Sequence, residues 1–465
     1  MSDPSNSNDE KTNDSKLNKL RTGAFSRRYE LAKTGIKFGS RLMADSAKRR
    51  LGLADEADTA ERQQENAKYL VKEMGKLKGS VVKVGQILAT YGEYLFPEEI
   101  TEALHSLEDS TPPMSWKAIE KALRRELGEE LLKELDVEQQ PIAAASLGQA
   151  HRARVKSTGE ELCLKIQYPG VENTIDADLN AVIRLLRGMR VLESTRAMDD
   201  WLNAVRELLH LEVDYHRERE QLAFTAAAVK DHPVLKVSSV HDRYCSQRVL
   251  AMSFEPGVSI NSDTARQLPQ EQRNQLGHAL LELFFLELCD WQRMQSDPNF
   301  GNFLVQQQDN GKCQLVLLDF GAMRPVEPGF CDGFQAMVAA SAHRQRERFL
   351  EQAIELGFMK AHFPDSVLSN FADVGMNIGE PLWVQSSDWP DFAVDEQGNY
   401  RWRDSELPKR VAKQAMKASL STHFALPPTE FMFVIRKLMG VFTLIAALDA
   451  RFDCSDIRER WLKPE

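Results

Sequence analysis

Apolar positions recur every three to four residues over much of the chain, which is the period of a helix with one buried face. Tyr69, Val71, Met74 and Leu77 follow this spacing, and residues 60–135 read as helical. Thr111-Pro112-Pro113 interrupts the pattern. A further helix is predicted from about Ser115, although Ala118 stands where a capping box needs an acid. From about residue 141 the period changes. His151–Val155 and Glu161–Gln167 are predicted strands around the turn residues Ser157-Thr158-Gly159. The helical period then returns as one long stretch from Ile175 to Ala228. A strand at Arg248–Phe254 runs into Glu255-Pro256-Gly257. Beyond it the chain is predicted to be mostly helical. The exception is a hairpin whose strands, Phe303–Val305 and Gln314–Leu318, flank Asp309-Asn310-Gly311.

The 465 residues carry a net charge of −10, with 42% apolar and 28% charged residues. That composition excludes a wholly disordered or collagen-like chain, and the acidic balance argues against nucleic acid as a partner of the whole chain. Charge is unevenly spread. Residues 1–15 are polar and acidic and read as a disordered tail, without the apolar stretch of a secretory signal and with acids that a transit peptide avoids. Between Lys16 and Arg50 the local charge is +9, and Phe25, Tyr29, Ala32 and Ile36 mark a helical face. This basic amphipathic segment, taken as 16–60, suits either an anionic membrane surface or a solvated helix against the acidic body. Six cysteines, none closer than 18 residues to the next, give no zinc-site spacing and suit a reducing compartment. The longest apolar run, Leu438–Leu448, is too short to span a bilayer. Phe431–Leu448 is therefore expected to be a core helix, with Arg436 paired to an acid. A cytoplasmic protein is expected, peripheral at most at the inner face of a membrane.

Four elements carry chemistry, in a fixed order. Lys165 stands mid-strand in LCLKIQ. Glu212 and Asp214 lie in LHLEVDYHRE, where a helical carboxylate can pair with Lys165 and aim its ammonium at phosphates; Glu212 is the first choice, with Glu207 and Glu218 as competitors. Asp297 and Asn302, five apart in QSDPNFGN, match a carboxylate that orients an acceptor and an amide that binds metal. Asp319 opens Asp319-Phe320-Gly321 at a strand end, where a carboxylate can bind Mg²⁺ on nucleotide phosphates. Each also has an ordinary structural reading as a solvated charge or a turn. Their order, with 17 residues from Asn302 to Asp319, makes coincidence a poor account.

On these residues the sequence resembles the UbiB/AarF family of atypical kinases, over about residues 66–455, and is especially similar to its coenzyme Q-biosynthesis branch. KVGQ at 83–86 resembles the KxGQ motif (Lys83, Gly85, Gln86). PIAAASLGQAHRA at 141–153 resembles the alanine-rich loop that replaces a Gly-rich loop, and LEVD at 211–214 the ExD signature; RKLMGVF at 436–442 also resembles a family segment. The resemblance implies an α+β, bilobal protein-kinase-like fold with a helical N-terminal KxGQ extension. Its parts are expected at 61–135 (extension), 136–256 (small lobe) and 257–465 (large lobe). It implies an atypical kinase or ATPase with Mg²⁺ and ATP or ADP as cofactors, supporting ubiquinone biosynthesis. Isoprenoid-quinone biosynthesis enzymes and an anionic membrane surface are candidate partners. Asp297 would be the catalytic carboxylate, Lys165 and Glu212 the phosphate-positioning pair, and Asn302 and Asp319 the metal ligands. Ala143, Ala144, Ala145, Ser146, Gly148 and Gln149 would bind nucleotide, while Lys83, Gly85, Gln86 and Asp214 would close and regulate the site. Alanines in place of glycines restrict the backbone next to phosphates, so altered nucleotide preference and weak phosphoryl transfer are expected. A nucleotide-switched scaffold or lipid-binding module and, behind it, a small-molecule kinase are the competing functions.

Overall fold

The chain is described by a computed structural model over residues 80–91, 96, 98–105, 113–188, 191–192, 195–308, 311–419 and 429–463. The acidic tail, the basic segment 16–60, the positions Tyr69–Leu77 and the turn residues Asp309 and Asn310 lie outside these residues.

Among the described residues three helices come first: α1 (Ser80–Tyr91), α2 (Glu98–His105) and α3 (Trp116–Glu134). Ser115 flanks α3 without a side-chain capping bond. Next come β1 (Leu135–Val137), β2 (Ala143–Ala144), β3 (Gly148–Val155) and β4 (Glu161–Gln167). The predicted turn is present, with Gly159 at φ +76° in the left-handed region that glycine tolerates. Leu162, Leu164 and Ile166 of β4 are buried against Ile119 and Leu123 of α3. Alternation therefore leaves Cys163 and Lys165 on the opposite face.

The stretch expected as one long helix is three: α4 (Ile175–Gly188), α5 (Arg196–Leu211) and α6 (Tyr215–Ala228). Caps explain the breaks. Thr195 accepts the N–H of Met198 at 3.2 Å, and Asp214 accepts that of Arg217 at 3.0 Å. Helices α1, α2, α4 and α5 share an apolar cluster that includes Val84, Leu88, Ile100, Leu179 and Trp201.

Strands β5 (Leu235–Val237), β6 (Val249–Ser253) and β7 (Val258–Ser259) follow. The small-lobe sheet runs β1-β3-β4-β6 with β2 on β3. Short α7 (Asp263–Arg266) precedes α8 (Gln270–Phe285), whose end passes into a π-helical turn at Leu286–Asp290. The hairpin is β9 (Phe303–Gln307) and β10 (Cys313–Leu317), after β8 (Arg293–Gln295), which pairs with β11 (Met323–Pro325). Its sheet, β5-β10-β9-β7, is parallel between Leu235 and Leu315. β5, inside the stretch read as small lobe, thus pairs with a strand inside the stretch read as large lobe.

The remainder is helical: α9 (Pro328–Ala342), α10 (Arg346–Glu355), α11 (Asp365–Ile378), α12 (Leu407–Ser419), α13 (Thr429–Ala447) and α14 (Ser455–Trp461). Strand β12 (Tyr400–Arg401) pairs with β13 (Arg451–Phe452). Helix α13 buries Leu438, Val441, Phe442, Leu444 and Ile445 in the large-lobe core, as expected for a core helix. Among the described residues no helix is long and apolar enough to cross a membrane.

Candidate active site

A cleft of about 1010 Å³ separates the small-lobe sheet from the β8–β11 region. Lys165 projects into it from β4. Its Nζ lies 2.6 Å from Glu218 Oε1 and 3.1 Å from Asp319 Oδ2, and 5.4 Å from the centre of the Tyr215 ring. The partner of Lys165 is therefore Glu218, and the expectation of Glu212 is corrected. Asp214 is the reason. By capping α6 it ends the preceding helix at Leu211, so that Glu212 occupies the C-cap of α5 while Glu218 sits in the first turn of α6.

Glu212 instead pairs with Lys83 of α1 at 2.8 Å. Lys83 and Gln86 line the cleft; Gly85 is buried within α1. The helical extension thus covers the site directly.

Burial dominates the electrostatics, and neighbouring charges decide its outcome. Burial raises the Glu218 pKa to about 7, with Asp319 and Glu212 adding to the rise against the opposing pull of Lys165. Glu218 is 1% exposed, and its Oε2 makes no hydrogen bond. Burial penalises the Lys165 ammonium, yet Asp319 and Glu218 hold its pKa well above the ordinary lysine value. Lys83 shows the same balance, with Glu212, Asp297 and Asp319 prevailing over burial. Burial, together with Asp319 and Asp297, raises the Glu212 pKa despite Lys83. Asp319 goes the other way: burial is overcome by Lys165, the Gly321 N–H and Lys83, and its pKa is lowered.

Asp297, Asn302 and Asp319 meet at the far wall. Asn302 Nδ2 donates to the Asp297 backbone carbonyl at 2.9 Å, which leaves Oδ1 for a cation. Asp319 Oδ1 accepts the Gly321 N–H at 2.9 Å. Arg436 of α13 lies 3.7 Å from Asp297, so the expectation of an acidic partner for this arginine holds. Gln295 Oε1 accepts the Asp297 N–H at 2.5 Å.

The alanine-rich segment forms a flap rather than an open loop. Ala143 and Ala144 pair with Ala150 and Gln149 across β2–β3, and Ala145 and Ser146 lie in the turn. Gly148 is required there, because a Cβ would stand 2.6 Å from the Ile166 carbonyl oxygen and 3.0 Å from the Tyr215 hydroxyl. Gln149 lines the cleft, as expected, but its amide is engaged by other groups. Its Oε1 accepts the Met114 N–H at 2.8 Å, and its Nε2 lies 2.8 Å from His151 Nε2. His151 Nδ1 donates to the Glu138 carbonyl at 2.7 Å, which leaves Nε2 the acceptor in the neutral ring that burial favours.

Sequence reasoning missed Arg217. From α6 it donates to the carbonyls of Gly321 (3.3 Å) and Met323, tying the segment after Asp319 to the helix that carries Glu218. Its place beside Glu218 in HRE was the available signal.

A lysine held by a helical glutamate, facing an Asp/Asn/Asp set across an interlobe cleft, defines a protein-kinase-like molecule. The family model described as the ABC1 atypical kinase-like domain matches residues 106–353, and the chain belongs to that family. It is 29% identical over 432 residues to the mitochondrial atypical kinase COQ8 of Schizosaccharomyces pombe, covering 92% of this chain and 68% of that one. It is 31% identical over 394 residues to the mitochondrial atypical kinase COQ8B of Rattus norvegicus, covering 84% and 71%. Among solved structures, the Mycobacterium tuberculosis protein Rv3197, determined in complex with erythromycin, superposes with a TM-score of 0.59 at 25% identity. That match covers 88% of this chain and all of the other. The family implies nucleotide binding and kinase- or ATPase-like activity.

Proposed function

We propose that the protein is an atypical kinase of the COQ8 type that binds a Mg²⁺-nucleotide between its lobes, hydrolyses ATP or transfers its terminal phosphoryl group, and supports ubiquinone biosynthesis. The observation that carries this reading is the convergence of Glu218 and Asp319 within 3.1 Å of the Lys165 ammonium.

Glu218 holds Lys165 in place for the phosphates. Asp297 orients the attacking hydroxyl or water, the role of a carboxylate at this position in phosphoryl transfer. Around these groups four carboxylates (Glu212, Glu218, Asp297 and Asp319) face three cations (Lys83, Lys165 and Arg436), so a polyphosphate needs further positive charge. Asn302 and Asp319 supply hard oxygen donors that suit Mg²⁺, which usually takes few protein ligands and keeps the rest for phosphate and water. When bound, the metal neutralises charge on the phosphates. Ala145, Ser146 and Gly148 are the nucleotide-facing part of the flap, Gln86 borders the acceptor side, and segment 16–60 is the part suited to an anionic membrane surface.

A second reading, a nucleotide-switched scaffold, is favoured by the Lys83–Glu212 pair, which brings the helical extension onto the cleft. The two separate cleanly. If Asp297→Asn preserves cellular ubiquinone while Asp319→Asn loses it, binding is the function.

The test is steady-state Mg²⁺-dependent ATP hydrolysis by the wild type and Asp297→Asn, with and without anionic liposomes. Turnover that falls by about 10²–10⁴ in the variant and rises with liposomes is expected. No turnover under either condition, with nucleotide still bound, contradicts the enzymatic reading.

A further inference from the structure

Four residues of α13, Phe433, Arg436, Lys437 and Gly440, stand at i, i+3, i+4 and i+7 and so share one face of the helix. Each meets a different part of the active-site architecture. Phe433 joins the apolar cluster of the helical extension with Val84 and Leu88. Arg436 lies 3.7 Å from Asp297. Gly440 abuts Pro298, next to Asp297; a Cβ there would stand 2.2 Å from the proline Cγ.

Lys437 is the unexpected member. It is 1% exposed and pairs with Glu287, 3% exposed, at 2.9 Å. Glu287 lies in the π-helical turn at the end of α8, an irregularity that recurs at functional sites. The π-helical turn packs against β8, and the Gln295 backbone of that strand faces the Glu287 carboxylate and favours its charge. Gln295 in turn accepts the Asp297 N–H through its side chain and reaches the Asp319 carbonyl at 3.4 Å. A continuous chain therefore runs from Lys437 through Glu287 and Gln295 to the backbone of Asp297. Arg436, one residue from Lys437, closes it on the side chain.

A buried ion pair is a poor device for stability, since matched apolar residues fill the same space at equal or lower free energy. It is a good device for fixing register, because an ammonium and a carboxylate without water accept few other arrangements. We infer that Lys437 and Glu287 are positioning residues: their buried pair sets the rotation of α13 and the course of the Gln295–Asn302 loop, so that Arg436 and Asp297 face each other. The inference rests on Asp297 as the catalytic carboxylate, but the loop's order can be read without chemistry.

The experiment compares the wild type with the double variant Glu287→Met/Lys437→Met, which removes both charges and roughly keeps the volume. Thermal unfolding, amide hydrogen exchange of residues 295–302, and kcat and KM for ATP are measured on the full chain. A melting temperature at or above the wild type is expected, with several-fold faster exchange in the loop. The kcat falls by about ten- to a hundredfold while KM stays within a few-fold, the mark of misplaced rather than missing groups. Wild-type loop exchange and kcat in a folded double variant overturn the inference. If that variant does not fold, Glu287→Gln weakens the buried pair at nearly constant volume. Faster loop exchange then supports the inference, and unchanged exchange overturns it. Wild-type turnover in Asp297→Asn defeats the catalytic reading alone, and loop exchange still decides the positioning role.

Discussion

Lys165 meets Glu218 at 2.6 Å from within the small lobe, whereas Lys83 meets Glu212 at 2.8 Å from the helical extension. The two glutamates are six residues apart. One opens α6 and the other closes α5, on either side of the cap made by Asp214. Both lysines are held charged by carboxylates. Their surroundings differ. Lys165 also reaches Asp319 at hydrogen-bond distance, the geometry of a group that grips phosphate. Lys83 pairs with Glu212 and feels Asp297 and Asp319 only through space. On the proposed reading the same residue types make a phosphate-positioning pair on one element and a closing latch on another, and the backbone break between them decides which glutamate meets which lysine.

The largest expected effect breaks this comparison or keeps it. Lys165→Met is expected to lower ATP turnover by about 10²–10³, the scale of losing one aimed charge donor. Lys83→Met is expected to change turnover less than tenfold and to alter acceptor range, read with labelled ATP. Equal losses in both would erase the distinction.

A smaller effect comes from Gly148, which supports the Lys165 side alone. Gly148→Ala drives a methyl into the Ile166 carbonyl and the Tyr215 hydroxyl. It is expected to destabilise the fold by about 1–3 kcal/mol, checked by thermal unfolding. Nucleotide affinity should weaken with it, while the Lys83–Glu212 pair is untouched.

The smallest effect is on pH dependence. The Glu218 pKa is raised from 4.5 to about 7, so between those values the folded state binds protons that the unfolded chain does not. Its contribution to stability is full below about pH 4.5 and is lost as pH rises through about 7. Denaturant unfolding at pH 5 and pH 7.5 should show a steeper decline for the wild type than for Glu218→Gln.

Much of this arrangement was legible in the sequence. Asp297, Asn302 and Asp319 were readable because a loop and a strand end fix their spacing locally, and the KxGQ segment was readable as a motif. Strands β3, β4, β6, β9 and β10 followed from alternation and turn residues. The pairing of Lys165 was not readable. Helical periodicity runs through Leu211–Tyr215 without signalling a stop, and only the cap by Asp214 separates the two glutamates. The inward turn of Gln149 was hidden for a different reason: His151 is its neighbour on the same face of β3, but its other partner, Met114, is set by tertiary packing. Arg436 was expected to find an acid, but that the acid is Asp297 depends on how α13 crosses the loop. The buried Lys437 had no signal beyond its place just before an apolar run.

The most direct test of the account is calorimetric titration of Mg-ADP into the wild type, Glu218→Gln and Glu212→Gln. Binding by the wild type is expected, weakened by about tenfold or more in Glu218→Gln and by no more than a few-fold in Glu212→Gln. The reverse order, or no binding by the wild type, would contradict the assignment of Lys165 and Glu218 to the nucleotide.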